Sequence, residues 1–110
     1  MSGITTHVLD TARGMPAEDV EVTLSARDGE TWRELARART DADGRARPLS
    51  EGAAPGIYRL RFETGAWAAS RGAEAFHPWV DVTFEVLDTG RHYHVPLLLS
   101  PFGYTTYRGS

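Results

Sequence analysis

Along most of the chain apolar and polar residues alternate with a period of two, the pattern of strands that bury one face and wet the other. Val20, Val22 and Leu24 alternate with Glu21 and Thr23. Tyr58, Leu60 and Phe62 alternate with Arg59, Arg61 and Glu63, and Val80, Val82, Phe84 and Val86 with Asp81, Thr83 and Glu85. Further strands are expected over 4–10, 31–40, 45–48, 92–99 and 104–107. Turn chemistry separates them: Arg13-Gly14 with Pro16, Asp28-Gly29, Asp43-Gly44, Pro55-Gly56 and Asp88-Thr89-Gly90. About eight short strands with turns between them predict an all-β sandwich. The segment 65–72, alanine-rich and bracketed by glycines, lacks alternation and predicts one short helix. The segment around Val95, Pro96, Leu97, Leu98 and Leu99 is apolar at both parities, so both faces of that strand need cover. In a two-layer sandwich the outer cover has to come from a partner subunit.

Composition narrows the function. At 110 residues the chain is a single domain, 1–110, with no internal repeat. Every Lys+Arg position is arginine, so Schiff-base and lysine-base mechanisms are excluded. Cysteine is absent, which removes thiol nucleophiles, disulfides and thiolate metal sites together. A formal charge of −3 gives no electrostatic footprint for nucleic acid or an anionic membrane. Neither a basic leader nor an apolar targeting stretch is visible, and the expected location is cytoplasmic.

Histidine and arginine are left to carry chemistry. His92 and His94 are two apart, so on a strand their imidazoles lie on one face, where they suit water activation or metal ligation. His7, between apolar neighbours, reads from its own strand as a core histidine, and Arg45 after Asp43-Gly44 as a solvated hairpin charge. Arg33, Arg37 and Arg39 have strand spacing and predict a solvated face, Arg47 is one strand period from Arg45, and His77 reads as structural.

Three motifs, in order, add to this reading. Ile4-Thr5-Thr6-His7-Val8-Leu9-Asp10-Thr11 with Gly14-Met15-Pro16-Ala17, then Thr40-Asp41-Ala42-Asp43-Gly44-Arg45, then Tyr107-Arg108-Gly109-Ser110 behind His92 to Pro101, resemble the signatures of the hydroxyisourate hydrolases. These are the enzyme branch of the transthyretin-like proteins, and the terminal tetrapeptide separates them from transthyretin itself. The resemblance implies a transthyretin-like two-sheet β-sandwich with one short helix, assembled as a homotetramer, a dimer of dimers with its sites at the dimer–dimer interface. It implies hydrolysis of 5-hydroxyisourate to 2-oxo-4-hydroxy-4-carboxy-5-ureidoimidazoline in urate degradation, without cofactor or metal. His7, Arg45, His94 and Ser110 would be catalytic, and Arg45, Tyr107, Arg108 and His92 would bind substrate. The tetrapeptide is expected to fold into the pocket, with Tyr107 narrowing the channel floor. Two other readings stay open: a transthyretin-like small-molecule carrier, and a zinc site built from His7, His92 and His94.

Overall fold

The computed structural model describes residues 3–87 and 90–110; the turn expected at Asp88-Thr89 lies outside the described residues. Among the described residues nine strands and one helix follow in the order β1 (Ile4–Asp10), β2 (Met15–Pro16), β3 (Glu21–Asp28), β4 (Thr31–Arg39), β5 (Arg45–Ser50), β6 (Gly56–Phe62), α1 (Thr64–Ser70), β7 (Val80–Val86), β8 (Tyr93–Leu99) and β9 (Tyr104–Thr106). The first sheet runs β2-β1-β8-β9, with β5 also paired to β1, and the second runs β4-β3-β6-β7. β1 and β8 are parallel; the other pairs are antiparallel.

The alternation that predicts the strands also builds the core. Ile4 and Val8 of β1, Val22 and Leu24 of β3, Leu60 and Phe62 of β6, Val80 and Val86 of β7 and Leu97 of β8 are essentially sealed from solvent between the sheets. Each such aliphatic or aromatic side chain contributes about 1.5–3 kcal/mol by burial. Thr6 donates to the Val95 carbonyl, and the Thr40 hydroxyl donates to Ala17 O (2.7 Å) while accepting from Val20 N–H (2.9 Å), whereas the buried Thr64 Oγ1 and Arg59 Nε have no hydrogen-bond partner among the described residues.

The expected boundaries shift for local reasons. The helix starts at Thr64 because the Glu63 carbonyl already accepts from Trp67 N–H at 3.1 Å, and Trp67 Nε1–H donates to Glu18 O at 2.8 Å, tying the helix to the loop before β3. The two-residue β2, too short for an alternation signal, pairs Leu9 with Pro16 and Asp10 with Met15. On β8 the prediction of two apolar faces is met unequally: Val95, Leu97 and Leu99 face the core, Pro96 is buried within its own chain, and only Leu98 stays half-open on the outer side.

Candidate active site

The site is assembled on the outer face of the first sheet. Because Ile4, Thr6, Val8 and Asp10 point into the sandwich, Thr5, His7 and Leu9 stand on the opposite face. The parallel register sets Thr5 opposite His94 and His7 opposite Pro96, and the antiparallel register with β5 sets His7 opposite Arg45. Three strands distant in sequence thus bring His7, Arg45 and His94 together. The His7 and His94 ring centroids lie 6.5 Å apart.

The turn before β5 fixes Arg45. Gly44 has φ +78°, and a Cβ there would sit 2.4 Å from the Val8 carbonyl oxygen, so only glycine lets the turn lie against β1. Val8 N–H donates to Gly44 O at 2.7 Å. The Asp41 carboxylate accepts from the backbone N–H of Arg45 (3.0 Å) and of Asp43 (2.9 Å). Those bonds, the Arg45 one foremost, hold its pKa below the ordinary carboxylate value. The same turn orients His7. Its Nε2 lies 2.8 Å from the Asp43 carbonyl, which can only accept, so Nε2 carries the proton and Nδ1 is the nitrogen left for chemistry.

His92 lies one residue before β8 but keeps the parity of His94. The two rings are stacked, with centroids 6.5 Å apart and planes 19° from parallel. Between them stands the Thr5 hydroxyl, 2.9 Å from His92 Nε2 and 2.8 Å from His94 Nδ1. Partial burial, followed by the charge of Arg45 and the proximity of His7 and His92, lowers the His94 pKa below its ordinary 6.5. His94 is therefore neutral at neutral pH, the state a general base needs.

The final segment reaches this site unevenly. Gly109 N–H donates to His94 O at 2.7 Å, and a Cβ on Gly109 would fall 2.6 Å from His94 Cδ2, so the glycine lets the chain pass directly over the imidazole. Ser110 follows it, exposed and without a side-chain hydrogen bond among the described residues. Arg108 turns instead to Tyr93, its guanidinium 4.2 Å from the ring centroid, with Nη2 donating to His92 O at 3.4 Å. Tyr107 is exposed on the single chain. His77 lies elsewhere, edge-on to Phe76 and Tyr104. It lines a cavity of about 350 Å³ between α1, the turn after β1 and the loop after β8, which none of the predicted site residues touches.

Among the described residues no group of three or more His, Cys, Asp or Glu side chains converges to hold an ion. Two contributors escape the sequence reading. Thr5 shares the face of His7 two residues before it, a parity signal that was available. The contact of Gly109 with His94 was not, because it joins a chain end to a strand through an isolated bridge.

Residues 4–109 match the model of the HIUase/Transthyretin family. The chain is 51% identical over 115 residues to the 5-hydroxyisourate hydrolase of Caulobacter vibrioides, covering 100% of both. It superposes on the structure of Klebsiella pneumoniae 5-hydroxyisourate hydrolase with a TM-score of 0.88 at 40% identity, covering 98% of this chain and 99% of that one. Sea bream transthyretin in complex with thyroxine gives a TM-score of 0.91 at 34% identity, over 96% of this chain and 93% of that one. With its two-sheet sandwich and the three matching motifs, the chain belongs to the HIUase/Transthyretin family.

Proposed function

We infer that this protein hydrolyses 5-hydroxyisourate, and we propose that the His7, Arg45 and His94 constellation carries out the reaction. Its support is the convergence of two imidazoles and one guanidinium on a sheet face, in a chain half identical to a 5-hydroxyisourate hydrolase. Opening a cyclic amide needs a deprotonated water, a donor for the oxyanion and a proton for the departing nitrogen. Neutral His94 takes the proton from water at Nε2 while the hydroxyl oxygen attacks the carbonyl carbon. Collapse of the tetrahedral intermediate breaks the C–N bond, and the same proton passes to the nitrogen. His7, with Nδ1 open, orients the water. Arg45 meets the planar, polar substrate with forked N–H donors and stabilises the oxyanion. Ser110 orients the water or an imidazole, and Tyr107, Arg108 and His92 bound the substrate pocket.

The carrier reading rests on the close structural likeness to a thyroxine-bound transthyretin. A carrier for an apolar ligand gains nothing from two imidazoles and an unpaired guanidinium, which would have to be desolvated on binding.

We propose a homotetramer, a dimer of dimers, in keeping with the half-open Leu98 and the exposed Phe102, Tyr104 and Tyr107 around the edge strand β9. Light scattering tests it, and a fully active monomer would contradict it. Among the described residues no helix is long and apolar enough to cross a membrane. We place the protein in the cytoplasm, in keeping with its lack of cysteine; cell fractionation tests this.

The activity is tested by generating 5-hydroxyisourate from urate with urate oxidase and following the decay of its absorbance. Catalytic amounts of the protein are expected to accelerate that decay. Decay at the spontaneous rate, with the protein folded, would overturn the reading.

A further inference from the structure

We infer that Thr5 is a positioning residue whose single hydroxyl proton couples the tautomers of His92 and His94, so that His94 presents a proton-free Nε2 to the reaction. The inference rests on the reading of His94 as the base.

The Thr5 hydroxyl has no hydrogen-bond partner besides these two ring nitrogens among the described residues, so between two neutral imidazoles its one proton goes to one nitrogen and its oxygen accepts from the other. The 2.8 and 2.9 Å contacts of Thr5 Oγ1 therefore allow two arrangements. In one, His94 Nδ1–H donates to Thr5 and Thr5 donates to His92 Nε2, which leaves the lone pair of His94 on Nε2. In the other every proton is reversed, and His94 Nε2 carries hydrogen and cannot deprotonate water. Catalysis by His94 selects the first. His92 then acts through Thr5, as the acceptor that holds the hydroxyl proton away from His94.

This use of a threonine is unlike its neighbours'. The hydroxyls of Thr6, Thr11, Thr31, Thr40 and Thr106 each donate to a backbone carbonyl. Thr5 faces two imidazoles instead, held there by the in-register pairing of β1 with β8. The arrangement also explains the H-x-H spacing: the hydroxyl fits between two rings that share one side of a strand, and a single histidine would leave its tautomer unset.

The test is the protonation pattern of the imidazole nitrogens, read from long-range ¹H–¹⁵N correlation spectra at a pH where the rings are neutral, with His→Asn variants for assignment. In the resting protein His94 is expected to carry its proton on Nδ1. Thr5→Val, which keeps the β-branched shape but loses the hydroxyl, should return His94 to the Nε2–H form that free imidazole favours. It should lower kcat roughly 10–100-fold, as loss of a histidine's orienting partner does elsewhere, with KM little changed. Thr5→Ser should restore both the tautomer and kcat. A proton on Nε2 of His94 in the wild type, a tautomer indifferent to Thr5→Val, or wild-type kcat in that variant would overturn the inference. If Thr5→Val does not fold, the wild-type and Thr5→Ser spectra decide. The reading beneath fails separately: wild-type kcat in His94→Asn would remove His94 as the base, whatever the spectra show of the coupling.

Discussion

The outer faces of the two sheets are both rich in cationic side chains, and they treat them in opposite ways. On the four-stranded sheet and its flanks several of these charges are closed within the chain, although Arg59 Nε is buried without a hydrogen-bond partner among the described residues. Arg37 pairs with Glu34 at 2.9 Å and Glu21 at 3.5 Å, Arg39 with Asp19 and Glu21 at 3.4 Å, and Arg61 grips both oxygens of Asp81 at 2.8 and 2.9 Å. Arg59 lies 4.5 Å over the Trp32 ring and Arg61 4.6 Å over Trp79. On the first sheet, among the described residues, the Arg45 guanidinium has no ion pair or hydrogen bond, and neither His7 nor His94 is ion-paired with a carboxylate. Exposed pairs of the first kind contribute little to stability. The second kind leaves hydrogen-bonding capacity for a ligand to use, and that difference, more than the number of charges, marks the working face.

The comparison breaks most visibly at the histidines. His7→Asn and His94→Asn are each expected to lower kcat by about 10²–10⁴-fold, the usual contribution of general acid–base catalysis, with melting little changed. His77→Asn, which removes a ring from the separate cavity beside α1, should leave kcat intact. Equal losses at all three positions in steady-state assays would mean that stability, not chemistry, is being read.

Arg45 comes next. Loss of one oxyanion donor costs about 10²–10³-fold in kcat, and Arg45→Gln is expected in that range, whereas Arg37→Gln on the opposite face should leave activity unchanged. The pH profile sharpens the contrast. The His94 pKa is depressed, so its base form persists as pH falls through 6.5, and kcat/KM should drop only below that value. Arg45 is one of the causes of the depression; its removal should therefore move the acid limb upward, toward 6.5. A limb that stays put in Arg45→Gln would dissociate the two groups.

Gly109→Ala tests contact without changing any charge. A Cβ 2.6 Å from His94 Cδ2 forces the ring or the final segment to move. A displacement of about 1 Å costs up to about 10²-fold, so kcat should fall by no more than that while the oligomeric state stays that of the wild type by light scattering. The smallest effect belongs to the closed face: Asp81→Asn should cost at most about 1 kcal/mol by chemical denaturation and nothing in turnover.

Most of the sandwich was legible because its strands bury one face only, and a period of two survives in the residue order. The two-residue β2 carried no such period. The extension of β5 to Ser50, against the expected end at 48, comes from pairing with Ile4, a partner the local sequence does not display. At the site, the family resemblance rather than residue type alone made His7 and Arg45 candidates beside His94, and the registers of β1 with β5 and β8 bring the three candidates onto one face. What sequence withheld was the hydrogen bonding between them: the hydroxyl of Thr5, the carbonyl of Asp43 and the passage of Gly109 over His94 depend on which strands become neighbours. Nor did the sequence display the stacking of Arg108, expected to bind substrate, on the ring of Tyr93.

The central claim is that His7 and His94 form one catalytic unit on the face whose charges the fold leaves open. It is tested most directly by kcat for 5-hydroxyisourate in wild type, in the two single asparagine variants and in the double variant. Groups that act as a unit are grossly non-additive, so the account predicts that the double variant is no slower than the worse single. Losses that multiply, or a single variant that keeps wild-type kcat, would contradict it.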